Sequence, residues 1–359
     1  MMVARNRSPQ LLSPRIAVLS CEVTTFAELG APERERWEEI RRGEPALSSP
    51  FLSFDFAAAV AAVRRDVRVG VLRGSGGGVA GFFPFQVSRT GVGRPVGGKL
   101  SDYHGVIVGP EVEWDAREVL RRFGLRSFAF SHLIGSQRPF RPHFKALAAS
   151  PVVVLDDPAR PAPRPPGQAE RKRRRLERRT MLRLDAEGSP AALHTLLAWK
   201  SSQYRRTGVF DAMSRPWVVE LLERLHATKT SALEGALSCL WADDVLIAAH
   251  LGLRSGRVLH WWFPGYDAAF ARDSPGLVHL SLLLGAAPED GIGLVDFGKG
   301  DEPYKDGFAN GSVELGIGSV ETSRFAAVRA GAARVAWRRA RRGPLRRVAD
   351  PLRKRLDFR

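Results

Sequence analysis

At 359 residues the chain is long for a single core, so two domains of ordinary size are expected. Hydrophobic residues make up 44% and charged residues 26%, a globular balance that excludes a disordered or fibrous chain, and no apolar run reaches transmembrane length. The net charge of +17 is local: "RKRRRLERR" (171–179) supplies +6 and the segment 320–359 supplies +10, leaving the rest nearly neutral.

Two cysteines, Cys21 and Cys239, exclude a disulfide scaffold and a cysteine-based zinc site, and they predict a reduced, cytoplasmic setting. The start has arginines but no long apolar stretch, so no signal peptide is expected.

From Ile16 the pattern predicts a strand ("IAVLSCEVTTF"), a helix ("APERERWEEIRR") and a second helix ("SSPFLSFDFAAAVAAVRR"). Ser48 or Ser49 ahead of Pro50 reads as the start of that second helix. Strands "VRVGVLR" and "GVAGFFPFQVSR" follow, then "HGVIVGP", a helix near "EWDAREVLRRFG", and strands "SFAFSHLI" and "PVVVLD". Residues 156–169 hold a run of prolines that neither a helix nor an inner strand tolerates, so they read as a linker.

A basic helix is predicted over 170–186, followed by helices "PAALHTLLAWKSSQYRRTG" and "RPWVVELLERLHATK". Strands "GALSCLWAD", "VLIAAHLGLRSG" and "RVLHWWFPGYD" lead into an apolar helix, "SPGLVHLSLLLGAA", and the strand "IGLVDFG". Two similar mixed α/β halves emerge, 1–155 and 170–320, with a tail at 321–359. In the tail Phe325, Val328, Ala332, Val335 and Ala336 form an apolar stripe among arginines, on a helix that Gly343–Pro344 should break.

Several stretches carry chemistry. "DFGKGDEPYKDGF" (296–308) opens like a kinase metal-binding motif, but no His-Arg-Asp loop or strand lysine of the kinase kind precedes it. "GRPVGGKL" matches a phosphate loop only as far as Lys99; Leu100 replaces the required hydroxyl, so a glycine-rich connection is the better reading. His250 and His260 lie on the two arms of a hairpin turning near Ser255–Gly256. Pairing across the turn would bring them together as acid/base groups, with half-buried strand residues as the alternative. No metal-ligand spacing is present. Ser274, Pro275 and Gly276 read as a helix start able to receive an anion, or simply as a well-capped core helix.

These last residues carry a resemblance. Gly-Tyr-Asp at 265–267, Ser-Pro-Gly at 274–276, Asp-Phe-Gly-x-Gly-Asp at 296–301 and Tyr-Lys at 304–305, with "GFFPF" and "LSDYHG" earlier, resemble the CelD-like acetyltransferases, a GNAT branch similar to the FemAB transferases. The resemblance covers 51–308 and implies two tandem GNAT-like domains with a basic helical tail. It also implies an acyltransferase taking acyl-CoA, usually acetyl-CoA, as donor. The acceptor would be an amine or hydroxyl of a cell-envelope, polysaccharide or lipid precursor.

On this reading the helix start at Ser274 and Gly276, with Arg272, takes the pyrophosphate. Tyr304 protonates the leaving thiolate, and His250, His260 or Asp296 serves as base. Lys305 anchors a phosphate or carboxylate, and Asp301 and Tyr266 meet the substrate. The usual GNAT phosphate loop, Gln/Arg-x-x-Gly-x-Gly/Ala, is absent, which keeps an aminoacyl-tRNA donor open. A non-catalytic RNA- or anionic-membrane-binding protein is the rival class, since the basic runs could grip phosphates. The tail would then place a cytoplasmic enzyme on the inner leaflet.

Overall fold

The structure, a computed structural model, describes residues 16–157, 159, 167–300 and 302–323. Asp301, the tail beyond 323 and most of the proline-rich linker lie outside the described residues, and so do the expectations placed on them.

In the first half the elements are β1 (Ile16–Ala17), β2 (Ser20–Thr24), α1 (Ala31–Gly43), α2 (Phe54–Val63), β3 (Val67–Arg73), β4 (Val79–Val87) and β5 (Val92–Arg94). They continue through β6 (Ile107–Val108), β7 (Val112–Glu113), α3 (Ala116–Arg122), β8 (Ser127–Ile134) and β9 (Phe144–Val154). The second half begins with α4 (Gly167–Glu177), β10 (Leu182–Asp185), α5 (Pro190–Arg206), α6 (Pro216–Ala227), β11 (Glu234–Ala242) and β12 (Val245–Ser255). It closes with β13 (Val258–Tyr266), α7 (Pro275–Ala286), β14 (Leu294–Asp296), α8 (Pro303–Asp306) and β15 (Gly311–Glu321).

Two local expectations are corrected. The second helix starts after Ser53, whose hydroxyl accepts from the Phe56 amide at 3.1 Å, while Pro50–Leu52 form a separate 3-10 turn. A side-chain cap fixes the start better than a proline about one turn upstream. The basic helix ends at Glu177 rather than 186, because Leu182–Asp185 pair with β11 as an edge strand. The phosphate-loop look-alike is a tight turn, with Gly97 and Gly98 both left-handed (φ 78° and 56°).

The halves share the same plan: two helices on one face of a sheet, a hairpin of strands, and a helix on the other face. The two sheets are continuous, in the order β10-β11-β12-β13-β14-β9-β15-β8-β5-β4-β3-β2, with β6 beside β4. Strand pairing crosses the boundary drawn at 155: β15, from the end of the second half, inserts antiparallel between β8 and β9 of the first. Its glycines at 311, 316 and 318 hide it from a reading based on strand propensity. One apolar cluster joins Trp37 and Phe56 of the first half to Leu193, Leu221 and Leu225 of the second. A full burial of each such side chain is worth about 1.5–3 kcal/mol, so the halves are bound together by their shared core.

Candidate active site

β13 and β14 run parallel and in register through Val258↔Leu294, Leu259↔Val295 and His260↔Asp296. There β14 stops while β13 continues to Tyr266, so the two strands part and an edge of β13 opens. His260 and Asp296 sit at the fork. Asp296 is buried and accepts from Ser150 Oγ at 2.5 Å, from the Gly298 amide at 2.8 Å and from the Tyr103 hydroxyl. Burial, then the Asp296 charge, push the Tyr103 pKa up, so this hydroxyl stays a donor.

His260, fully buried, lies between two carboxylates. Its Nε2–H donates to Asp102 Oδ2 at 2.9 Å, and its Nδ1 is 3.5 Å from Asp296 Oδ1. Phe51 packs its edge against the imidazole at 4.8 Å. Asp102 is the member of this row that reaches solvent, with its side chain 23% exposed and Oδ1 4.0 Å from His132 Nε2.

The loop bearing Asp102 and Tyr103 is stitched down on its own side. The His104 amide donates to His132 O at 2.9 Å, the Ile134 amide donates to His104 O at 3.0 Å, and the Ser101 hydroxyl holds Tyr103 O at 2.8 Å. His104 donates from Nε2 to Ser101 O and stays neutral, its pKa driven down by burial and then by His132. Burial lowers His132 to about 4 despite Asp102, so it too is neutral near pH 7. Gly298 has φ +67°, and a Cβ there would lie 2.7 Å from Asp102 Oδ2 and 3.1 Å from His260 Nε2. The glycine of "DFG" therefore makes room for the Asp102–His260 pair.

The predicted site residues divide between the two faces of the sheet. Lys305 is buried, its Nζ 2.8 Å from Glu302 and 3.2 Å from Gly298 O, close behind the fork. Tyr304 lies among Trp261, Phe297 and α7 residues. Burial, then Glu302, push its pKa up to about 12, with the Trp261 indole acting the other way. Arg272, Ser274, Gly276 and Tyr266 gather at the start of α7: a Cβ on Gly276 would meet only Tyr266 Cδ1, at 3.6 Å.

Ser274 occupies the N-cap position but in a left-handed conformation (φ 51°) with no side-chain cap bond, so it shapes the turn rather than capping it. The basic run of α4 docks here. Arg175 and Arg179 reach the buried Asp273 at 3.1 and 3.0 Å, and Lys172 donates to Arg272 O.

The two histidines do not meet. Ser255 opposes Val258, so Leu253 opposes His260, and His250, three residues along, points to the other face. There it stacks on Trp261 at 3.8 Å. Its Nε2 accepts from the Trp262 amide at 3.1 Å, its Nδ1–H faces Ser238 Oγ at 3.5 Å, and that hydroxyl donates to His279 at 2.9 Å. Burial holds His250 well below its ordinary pKa and His279 at about 3, so this chain is a neutral core network.

Sequence reasoning passed over Asp102, Tyr103, Ser150 and His132. The stretch "LSDYHG" was visible, but nothing in spacing links residue 102 to residue 296. Among the described residues no group of His, Cys, Asp and Glu could hold a metal ion. No helix among them is long and apolar enough to cross a membrane.

Residues 167–306 match the family described as acetyltransferase (GNAT) domain. No curated protein matches the chain. Three solved structures share its fold. FemX aligns over 84% of this chain and 97% of its own, at TM-score 0.52 and 10% identity. The C-terminal domain of a putative lysylphosphatidylglycerol synthetase from Agrobacterium fabrum aligns over 85% and 96%, at 0.50 and 14%. A conserved protein of unknown function from Bacteroides thetaiotaomicron aligns over 80% and 96%, at 0.52 and 11%.

The architecture is thus mixed α/β in two similar halves, and residues 167–306 form a GNAT-type acyltransferase domain. The chain is an acyltransferase.

Proposed function

We propose that the chain transfers an acetyl or longer acyl group from acyl-CoA to an amine or hydroxyl of a cell-envelope, polysaccharide or lipid precursor, in the manner of CelD-like acetyltransferases. The observation that carries this reading is the Asp102–His260–Asp296 row set where β13 and β14 part.

The donor's phosphates belong at the start of α7, where the space beside Gly276 is open and Arg272 and Lys172 stand near. The thioester then lies along the edge of β13 that β14 leaves open, where backbone N–H groups of the strand stabilise the oxyanion. The acceptor approaches from the Asp102 side. As its nucleophile bonds to the carbonyl carbon, its proton passes to Asp102 Oδ1, while His260 and Asp296 hold that carboxylate in place. When the carbon–sulfur bond breaks, the thiolate takes the Tyr304 proton, and solvent returns a proton to Tyr304 as Asp102 releases its own. Tyr304, protonated up to about pH 12, stands on the donor side of the sheet, where the thiolate departs.

An aminoacyl-tRNA donor is the second reading, favoured by one observation: α4 lays its basic run beside the same helix start. Calorimetry with acetyl-, longer acyl- and free coenzyme A, against charged tRNA, separates the two. Saturable coenzyme A binding supports the thioester reading. Binding of charged tRNA alone, falling steeply with salt, would overturn it. The tail at 324–359 lies outside the described residues, and its role as an anchor on the inner leaflet is part of this proposal.

A further inference from the structure

α5 packs on β12 and β13 on the face that carries His260 and Asp102, opposite the face where α7 and α4 lie. From α5, Lys200 sends its stem across β13: a Cβ on Gly265 would touch Lys200 Cδ at 3.6 Å. The residue is only 8% exposed. Its ammonium has three N–H donors, yet its partners are the Gln203 side-chain oxygen at 3.1 Å and the ring of Tyr204 at 5.1 Å. No carboxylate among the described residues lies within ion-pair distance of it.

Glu302 is near enough to act on Lys200, but its carboxylate is engaged by Lys305 at 2.8 Å. Burial, then Asp211 and Asp102, push the Tyr204 pKa up to about 12, so this hydroxyl stays protonated. A buried, under-compensated ammonium is costly unless it gains a counter-charge. Burial accordingly lowers the Lys200 pKa to about 8, with Glu302 opposing.

We propose that Lys200, with the Tyr204 ring beside it, binds an anionic group of the acceptor, a carboxylate or a phosphate, and so holds the nucleophile toward Asp102. The assignment rests on the acyl-transfer reading, because it is the placement of donor phosphates at α7, on the opposite face, that leaves Lys200 to the acceptor. It also gives a substrate class: the acceptor carries negative charge a short distance from its amine or hydroxyl. A neutral sugar or a simple alcohol would leave the ammonium uncompensated.

The test reads Lys200 itself and needs no known acceptor. The full chain is reductively methylated at mildly alkaline pH, and each lysine is followed by peptide mass spectrometry, alone and with acetate, inorganic phosphate or coenzyme A. At ten times the dissociation constant, occupancy should slow Lys200 modification about tenfold, with Lys145 and Lys229 unchanged as surface controls. Protection by acetate identifies a carboxylate acceptor, and protection by phosphate a phosphorylated one.

Equal modification with and without both anions overturns the proposal, as does a Lys200 that is never modified, because a ligand could not reach it. Protection by coenzyme A at concentrations where phosphate has no effect assigns Lys200 to the donor and overturns the acceptor role. Failure of the acyl-transfer reading is a separate result: coenzyme A then produces no heat in calorimetry with the unmodified protein.

Discussion

Asp102 meets solvent on one side and a buried imidazole on the other, and this position decides its chemistry. Asp102→Asn keeps the shape of the side chain but cannot take a proton. Turnover should fall by about 10²–10⁴-fold while donor affinity stays near wild type; a rate within threefold or so of wild type would move the base elsewhere. Tyr304→Phe tests the other end of the transfer and should cost about 10²-fold in turnover, without weakening donor binding, if this hydroxyl protonates the thiolate. Gly298 admits no such conservative change. Alanine there would be strained at φ +67° and would crowd Asp102, so a loss of roughly 2 kcal/mol or more in urea unfolding is expected, with activity lost as well.

At the scale of elements, α7 and α4 behave as one unit. Asp273 ties Arg175 and Arg179 to the turn before α7, which turns a solvent-seeking basic run into part of the wall around a helix N-terminus. Gly276 is the test position because the space around it is open, with Tyr266 at ordinary contact distance. Gly276→Val should therefore fold normally by circular dichroism yet bind coenzyme A about tenfold or more weakly, by covering the helix start proposed to receive phosphate. An unchanged affinity would detach the anion site from α7. The histidines of this face, His250 and His279, are a different kind of feature. Their hydrogen bonds run to Ser238 and to a backbone amide, and they hold strand to helix rather than meeting substrate.

For the whole molecule, acid should be the weak side. Burial depresses the pKa of His104, His132, His250 and His279, so the unfolded chain binds protons that the folded chain refuses. Their stabilising contribution is fully present above the unfolded value near 6.5. It is lost as pH falls from there toward the folded values, about 4 for His132 and about 3 for His279. The urea midpoint should drop between pH 7 and pH 5, and a flat profile would show that these rings are solvated. Strand exchange makes a second prediction. A chain cut after Thr322 keeps β15, whereas one cut after Asn310 leaves the facing edges of β8 and β9 unpaired. The longer chain should fold and stay active but lose any sedimentation with anionic vesicles at low salt. The shorter should fail to fold in either half, since the two share one sheet and one core.

Much of the local structure was legible because its causes are local. Alternating apolar residues marked β3, β4 and β11 to β13, and helical spacing marked α1, α5 and α6, through forces that act within a few residues. Local chemistry also marked the start of α7, and the family resemblance marked the tyrosine–lysine pair after β14. The glycine-rich β15 and the early end of α4 escaped, since pairing with distant strands decides both. The proposed catalytic row escaped for the same reason: residues 102, 150, 260 and 296 meet only because β9, β13 and β14 lie side by side and one loop closes over them. The sequence by itself determined which segments would be strands and helices and which residue types could move a proton or hold an anion. Only the tertiary structure decided which face each side chain joined, because strand register sets the face and burial then sets the protonation state.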